Sequence, residues 1–126
     1  MENAQIVAEH YNQRPDVGIQ GRKNSPIYHM KNFNNWIKSI LIGEYTHAGC
    51  TVFDIACGKG GDLMKWNKAR IKELIGIDIA QTSVQQAKKR YEESRCPFNA
   101  SFYAMDCFNV IQTYIYILIF RNHCLY

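Results

Sequence analysis

Apolar and polar positions alternate in two rhythms along this chain. One suits helices, with apolar residues recurring every three or four positions; the other suits short buried strands. Residues 1–13 carry Ile6, Val7 and Tyr11 at spacings that fit a short helix. Residues 14–26 hold Pro15, Gly18, Gly21 and Pro26 among scattered charges and read as a loop. From Ile27 the pattern turns helical: Phe33, Trp36, Ile37, Ile40 and Leu41 form a one-sided apolar stripe, ended by Gly43 or by the loop around Thr46 to Gly49. Thr51 to Ile55 is β-branched or apolar except for Asp54, which suits a buried parallel strand. A helix is predicted from about Asp62, with Leu63, Met64 and Trp66 turned inward. A second strand follows over Leu74 to Ile79. Thr82 or Ser83 is placed to cap a further helix, with Gln85 or Gln86 completing a capping box and Val84, Ala87 and Tyr91 on its inner face. Ala100 to Asp106 reads as a third strand.

Strand, helix, strand, helix, strand is the order of an α/β domain with a parallel sheet. The chemistry concentrates where the first strand ends. Gly58, Gly60 and Gly61 follow it closely, and such a loop brings backbone N–H groups near a ligand with no Cβ in the way. Asp78, at the end of the second strand, lies 20 residues past Gly58. A glycine loop paired with that acid is the arrangement that holds a nucleoside, the carboxylate accepting hydrogen bonds from ribose hydroxyls. The loop is neither GxGxxG nor a Walker loop, so it does not by itself identify the ligand. Asp106 ends the third strand, from where it reaches the base or ribose of such a ligand.

Composition adds less. The chain has 126 residues, one domain or a fragment of one, with 47% apolar residues and a net charge of +4. That charge leans weakly towards a polyanionic partner. Lys65, Lys68, Arg70 and Lys72 cluster, but cations at a helix end also read as a solvated face. Asn34 and Asn35 are poor helix formers standing in a helix, which hints at a contact, although a solvated face explains them too. Cys50, Cys57, Cys96, Cys107 and Cys124 are odd in number and form no CxxC, so they read as reduced intracellular thiols. His10, His29, His47 and His123 have no metal-ligand spacing. The N-terminus lacks a signal-peptide apolar run. Val110 to Phe120 is apolar almost throughout, yet shorter than the roughly 20 residues that span a bilayer, so no membrane is expected. It reads as a buried strand or an aggregation-prone segment. The expected division is therefore 1–109, the first half of a nucleoside-binding domain, and 110–126, an atypical apolar tail.

Several stretches carry a family resemblance. Phe33-Asn34-Asn35-Trp36-Ile37-Lys38-Ser39, ahead of Asp54-Ile55-Ala56-Cys57-Gly58-Lys59-Gly60-Gly61-Asp62-Leu63, resembles the eukaryotic mRNA cap (guanine-N7) methyltransferases. So do Val7 to Asn12, Asp78-Ile79-Ala80, Ser83-Val84 and Arg90-Tyr91. The likeness runs from about residue 6 to about residue 108. It implies the class I, Rossmann-like fold of S-adenosylmethionine-dependent methyltransferases, here truncated after the third strand and followed by the apolar tail. It implies S-adenosylmethionine as methyl donor, the capped 5′ end of mRNA as acceptor, a nuclear location and no metal; it names no activating subunit. By resemblance, Lys38, Ala56, Gly58, Asp78, Asp106 and Cys107 contact the donor. Position 56 is often glycine in the family, and serine is common at position 107. Asn34 and Asn35 match a pair near the cap. Lys59, Lys65 and Arg90 match basic positions on the side of its phosphates; Lys68 and Lys72 do not.

Such a reaction needs no catalytic dyad. Guanine N7 already carries a lone pair and the sulfonium is already activated, so the protein has mainly to align them at about 3–3.5 Å. Two other readings share these residues: a non-catalytic nucleoside- or RNA-binding fragment, and a small-molecule methyltransferase of the same fold. Family members continue with a fourth strand, whereas the composition changes after Asn109. That change reads as natural truncation or alternative termination.

Overall fold

The three strands run parallel, and the central one is the most buried. The computed structural model describes residues 2–13, 23 and 25–107. Most of the loop expected over 14–26, the apolar stretch 110–120, His123 and Cys124 lie outside the described residues, as does any fourth strand drawn from them. The elements are α1 (Glu2–Asn12), α2 (Tyr28–Tyr45), β1 (Thr51–Ile55), α3 (Leu63–Lys68), β2 (Glu73–Asp78), α4 (Gln81–Ser94) and β3 (Asn99–Ala104). The sheet order is β1-β2-β3, with Val52 opposite Leu74 and Gly76 opposite Phe102.

The register puts Val52, Leu74, Gly76, Ala100 and Phe102 on one face, because side chains in strands alternate and paired residues share a side. α3 and α4 cover that face. Leu63 from α3 and Val84 and Ala87 from α4 join Leu74, Phe98 and Phe102 in the core, with Trp66 and Tyr91 packed at its margin. Met64, expected inside with them, is exposed. Helical spacing explains this: Leu63 and Trp66 are three positions apart and share a side, whereas Met64 is turned away by about 100°.

β1 also departs from the buried strand expected of its composition. Phe53 and Ile55 are each 43% exposed, because they lie on the opposite face of an edge strand that no described helix covers. The apolar stripe of α2 is likewise open. No residue of that helix is buried, Trp36 is 59% exposed, and its ring stacks on Phe33 at a centroid distance of 6.0 Å. Gly43 does not end α2, which continues to Tyr45.

The expected capping box of α4 does not form. Ala80 is its N-cap and offers no side-chain acceptor. The amide of Thr82 instead donates to Asn12 Oδ1 at 3.0 Å, so a residue of α1 caps α4 from outside. The remaining ends are tidy: Lys72 N–H reaches Cys50 O at 2.8 Å and Asn99 N–H reaches Lys72 O at 3.1 Å, which aligns the starts of all three strands. Cys50, Cys57, Cys96 and Cys107 are free thiols.

A Cβ on Gly76 would stand 2.7 Å from the Phe102 ring and 3.1 Å from Cys57 Sγ. Gly76→Ala is expected to lower the unfolding free energy by about 1–3 kcal/mol through overpacking, measured by denaturant titration. Asn12→Ala removes the external cap, costs about 0.5–2 kcal/mol and speeds hydrogen exchange at the Thr82 amide.

Candidate functional site

The loops leaving the three strands meet at one residue, Asp78. The Asp78 carboxylate accepts the Gly58 amide on Oδ2 at 2.8 Å and the Ala80 amide on Oδ1 at 2.9 Å. Its backbone carbonyl accepts the Met105 amide at 2.9 Å, and Cys57 N–H reaches Ile77 O at 3.0 Å. Asp78 thereby ties the segments that follow β1, β2 and β3. Gly58 stands at φ +56°, and nothing lies within 4 Å of where a Cβ would be. Open space thus adjoins a carboxylate that still has acceptor capacity, since two of its roughly four lone-pair sites are used. Ala56 has φ 60°, a left-handed conformation that costs a residue bearing a Cβ about 1–2 kcal/mol. That geometry is the physical reason for glycine to serve well at this position.

Asp106 and Cys107 follow β3 on the same side of the sheet. Cys107 Sγ lies 3.9 Å from Ile77 O, and both residues are half-buried. Cys57 is buried just behind the loop. Burial, with the negative Asp54 and Asp78 nearby, pushes its thiol up to about 12, which leaves it inert as a nucleophile near neutral pH.

A second locus lies between α2 and α3. Asp62 was expected to open a helix and does precede α3, but its side chain makes no cap hydrogen bond. It binds two ammonium groups: Lys38 Nζ at 2.8 Å from Oδ2 and Lys65 Nζ at 2.7 Å from Oδ1. Burial alone would raise the Asp62 pKa, but the hydrogen bonds and charges of Lys38 and Lys65 outweigh it and hold the carboxyl below its usual range. Asp54 shows the opposite balance. Burial raises it, and the one hydrogen bond from Trp66 Nε1, at 3.3 Å, does not compensate.

Asp62 stands at the inner edge of an open cleft of about 1090 Å³. Asn34, Asn35, Lys38 and Lys65 all line it, so these four sequence candidates come together. Among the described residues the amide side chains of Asn34 and Asn35 have no hydrogen-bond partner, and both residues are exposed. Ala56, Gly58, Asp78, Asp106 and Cys107 do not line this cleft; they belong to the strand-end locus. Lys59 is half-buried in the glycine loop and Arg90 half-buried on α4, and neither lines the cleft. Lys68, which reads from the sequence as part of a solvated helix end, lines it, and so does Lys31. Asp62 itself was missed as a partner of the lysines. Only Lys65, three residues on in a helix, was a local signal for one of its two ion pairs.

Residues 1–117 match the family described as the mRNA (guanine-N(7))-methyltransferase domain. The mRNA cap guanine-N(7) methyltransferase of Schizosaccharomyces pombe is 57% identical over 112 residues, covering 85% of this chain and 31% of that protein. A rice protein named mRNA cap guanine-N(7) methyltransferase 1 is 43% identical over 84% of this chain and 31% of its own length. The chain thus spans about a third of the length of these curated relatives. Among solved structures, geranyl diphosphate C-methyltransferase from Streptomyces coelicolor aligns with a TM-score of 0.59 at 16% identity, over 84% of this chain and 47% of that one. Magnesium protoporphyrin IX methyltransferase from Synechocystis aligns with a TM-score of 0.59 at 17% identity, over 84% and 55%. These two likenesses show the fold alone: the described strands and helices are those of a Rossmann-like α/β domain.

The Asp62 ion pairs have a defined pH signature. The folded value lies below the usual 3.8, so their stabilisation is complete above that usual value and is lost as pH falls through the lower folded one. Acidification below about pH 4 should destabilise the wild-type chain, whereas Asp62→Asn should be weaker at neutral pH and flatter in that acid window. Denaturant midpoints measured across the pH range check both limbs.

Proposed function

The chain belongs to the mRNA (guanine-N7)-methyltransferase family, and on that premise we propose that it forms the donor side of an enzyme that methylates N7 of the 5′ cap guanine of mRNA. The observation that carries the reading is the Asp78 carboxylate beside the open Gly58 backbone at the ends of β1 and β2. S-adenosylmethionine, when bound, supplies a methyl group activated on a sulfonium. The residues present fit it. Asp78 offers its remaining lone pairs to the ribose hydroxyls, while the backbone at Ala56 and Gly58 lets the donor approach. Asp106 and Cys107 stand past β3, where the adenine is expected. Lys38 gives its ammonium to the donor's carboxylate, with Asp62 fixing its position.

On the acceptor side, Asn34 and Asn35 offer unspent amides to the guanine, and Lys65 faces the cap phosphates from the same cleft. The assignments of Lys59 and Arg90 to the phosphates rest on the resemblance. No residue is asked to remove a proton, because N7 attacks through a free lone pair and its ring takes up the positive charge as the carbon–sulfur bond breaks. Alignment of the two reactants contributes up to about 7–11 kcal/mol in well-oriented reactions, which is the term this site is built to supply. The complete protein, on this reading, acts on capped mRNA in the nucleus.

A second reading is favoured by one observation: among the described residues β1 is an edge strand, paired with β2 alone. A fragment in that state binds ligand without turning it over. Titration calorimetry with S-adenosylmethionine is expected to show saturable binding, weakened about tenfold or more by Asp78→Ala, since hydrogen bonds to charged groups contribute about 1.5–3 kcal/mol. Binding that is indifferent to Asp78 would overturn the donor assignment. Formation of N7-methylguanosine on capped RNA supports turnover; donor binding without that product supports the fragment reading.

A further inference from the structure

The cleft between α2 and α3 extends past the residues assigned to the cap. Its lining includes four lysines, Lys31, Lys38, Lys65 and Lys68, against the single acid Asp62. Both oxygens of Asp62 are ion-paired, one to Lys38 and the other to Lys65. Among the described residues Lys31 and Lys68 have no acidic partner within 4.0 Å, and both are exposed. They come from different helices and face one space. The cleft therefore carries a net charge of +3, with two ammonium groups unspent. A solvated helix end explains Lys68 alone; it does not explain Lys31, which lies in the first turn of α2, where the helix dipole disfavours a cation.

The neutral lining narrows the partner. Tyr28 supplies an aromatic face, and Asn32, Ser39 and Thr46 supply hydrogen-bonding groups. Lysines interleaved with an aromatic ring and polar side chains suit a single-stranded nucleic acid, where cations track the backbone and a ring stacks a base. We infer that Lys31 and Lys68 hold phosphodiesters of the RNA nucleotides that follow the cap, so that the cleft takes the start of the transcript as well as its terminal guanine. This rests on the cap reading for its direction but not for its charge.

The test measures binding of the 126-residue chain to a capped RNA of about ten nucleotides, the same RNA uncapped, and a cap dinucleotide, across a range of salt. It compares the wild type with Lys31→Ala/Lys68→Ala, two exposed positions at which folding is checked by circular dichroism. Each phosphate contact on a single strand contributes about 0.7 to the slope of log K against log salt. The double variant is expected to lose about 1.4 of that slope on both RNAs and to leave cap-dinucleotide affinity unchanged. An unchanged slope, equal loss on the dinucleotide, or no RNA binding by the wild type would overturn the inference. The slope loss without any preference for capped over uncapped RNA would uphold the phosphate contacts while sinking the cap reading.

Discussion

The Asp78 carboxylate is the fastening on which the rest of this structure depends. A parallel sheet stops making ladder hydrogen bonds at the ends of its strands, and the loops that leave it there have amides to satisfy. One residue meets that need for three loops: its side chain takes the Gly58 and Ala80 amides and its carbonyl takes that of Met105. Charge-assisted hydrogen bonds of this kind are stronger than neutral ones. The same carboxylate sets the shape of the glycine loop and faces the space that loop leaves open. Structure and proposed chemistry therefore share an anchor.

The helical cleft is built on a different principle. α2 buries none of its residues, yet Lys38 on that helix is held within 2.8 Å of Asp62 beside the glycine loop. Isolated surface ion pairs contribute about 0–1 kcal/mol, but Asp62 is largely buried and joins two lysines, so its geometry is more constrained than that of a single exposed pair. Asp54 and Asp62, eight residues apart, shift in opposite directions for an intelligible reason. Both lose water on folding, and only Asp62 gains two cations in return.

Much of this was legible in the residue pattern. The three strands, the inward Leu63, Val84 and Ala87, and the pairing of the glycine loop with Asp78 all follow from local periodicity and spacing. The roles proposed for Lys38, Asn34 and Asn35 rest on resemblance, because nothing in a helical stripe says what its polar side will face. What sequence reasoning missed was set by tertiary contact. Asn12 caps a helix 70 residues away. Asp62 meets Lys38 across 24 residues. Lys68 looked like a solvated helix end until α2 was placed opposite it. β1 looked buried because composition records what a strand can bury, not which of its faces has a cover.

The interlock of Gly76, Phe102 and Cys57 has a consequence for how the core can vary. The benzyl ring on β3 fills the volume that a side chain on β2 would need, and a sulfur atom bounds the third side. Size at these positions is therefore a shared quantity. Enlarging residue 76 while trimming residue 102, as in Gly76→Ala with Phe102→Leu, conserves the filling of that space better than either change alone. Exchange of bulk between neighbouring strands, rather than tolerance at any one site, is the freedom this interior retains.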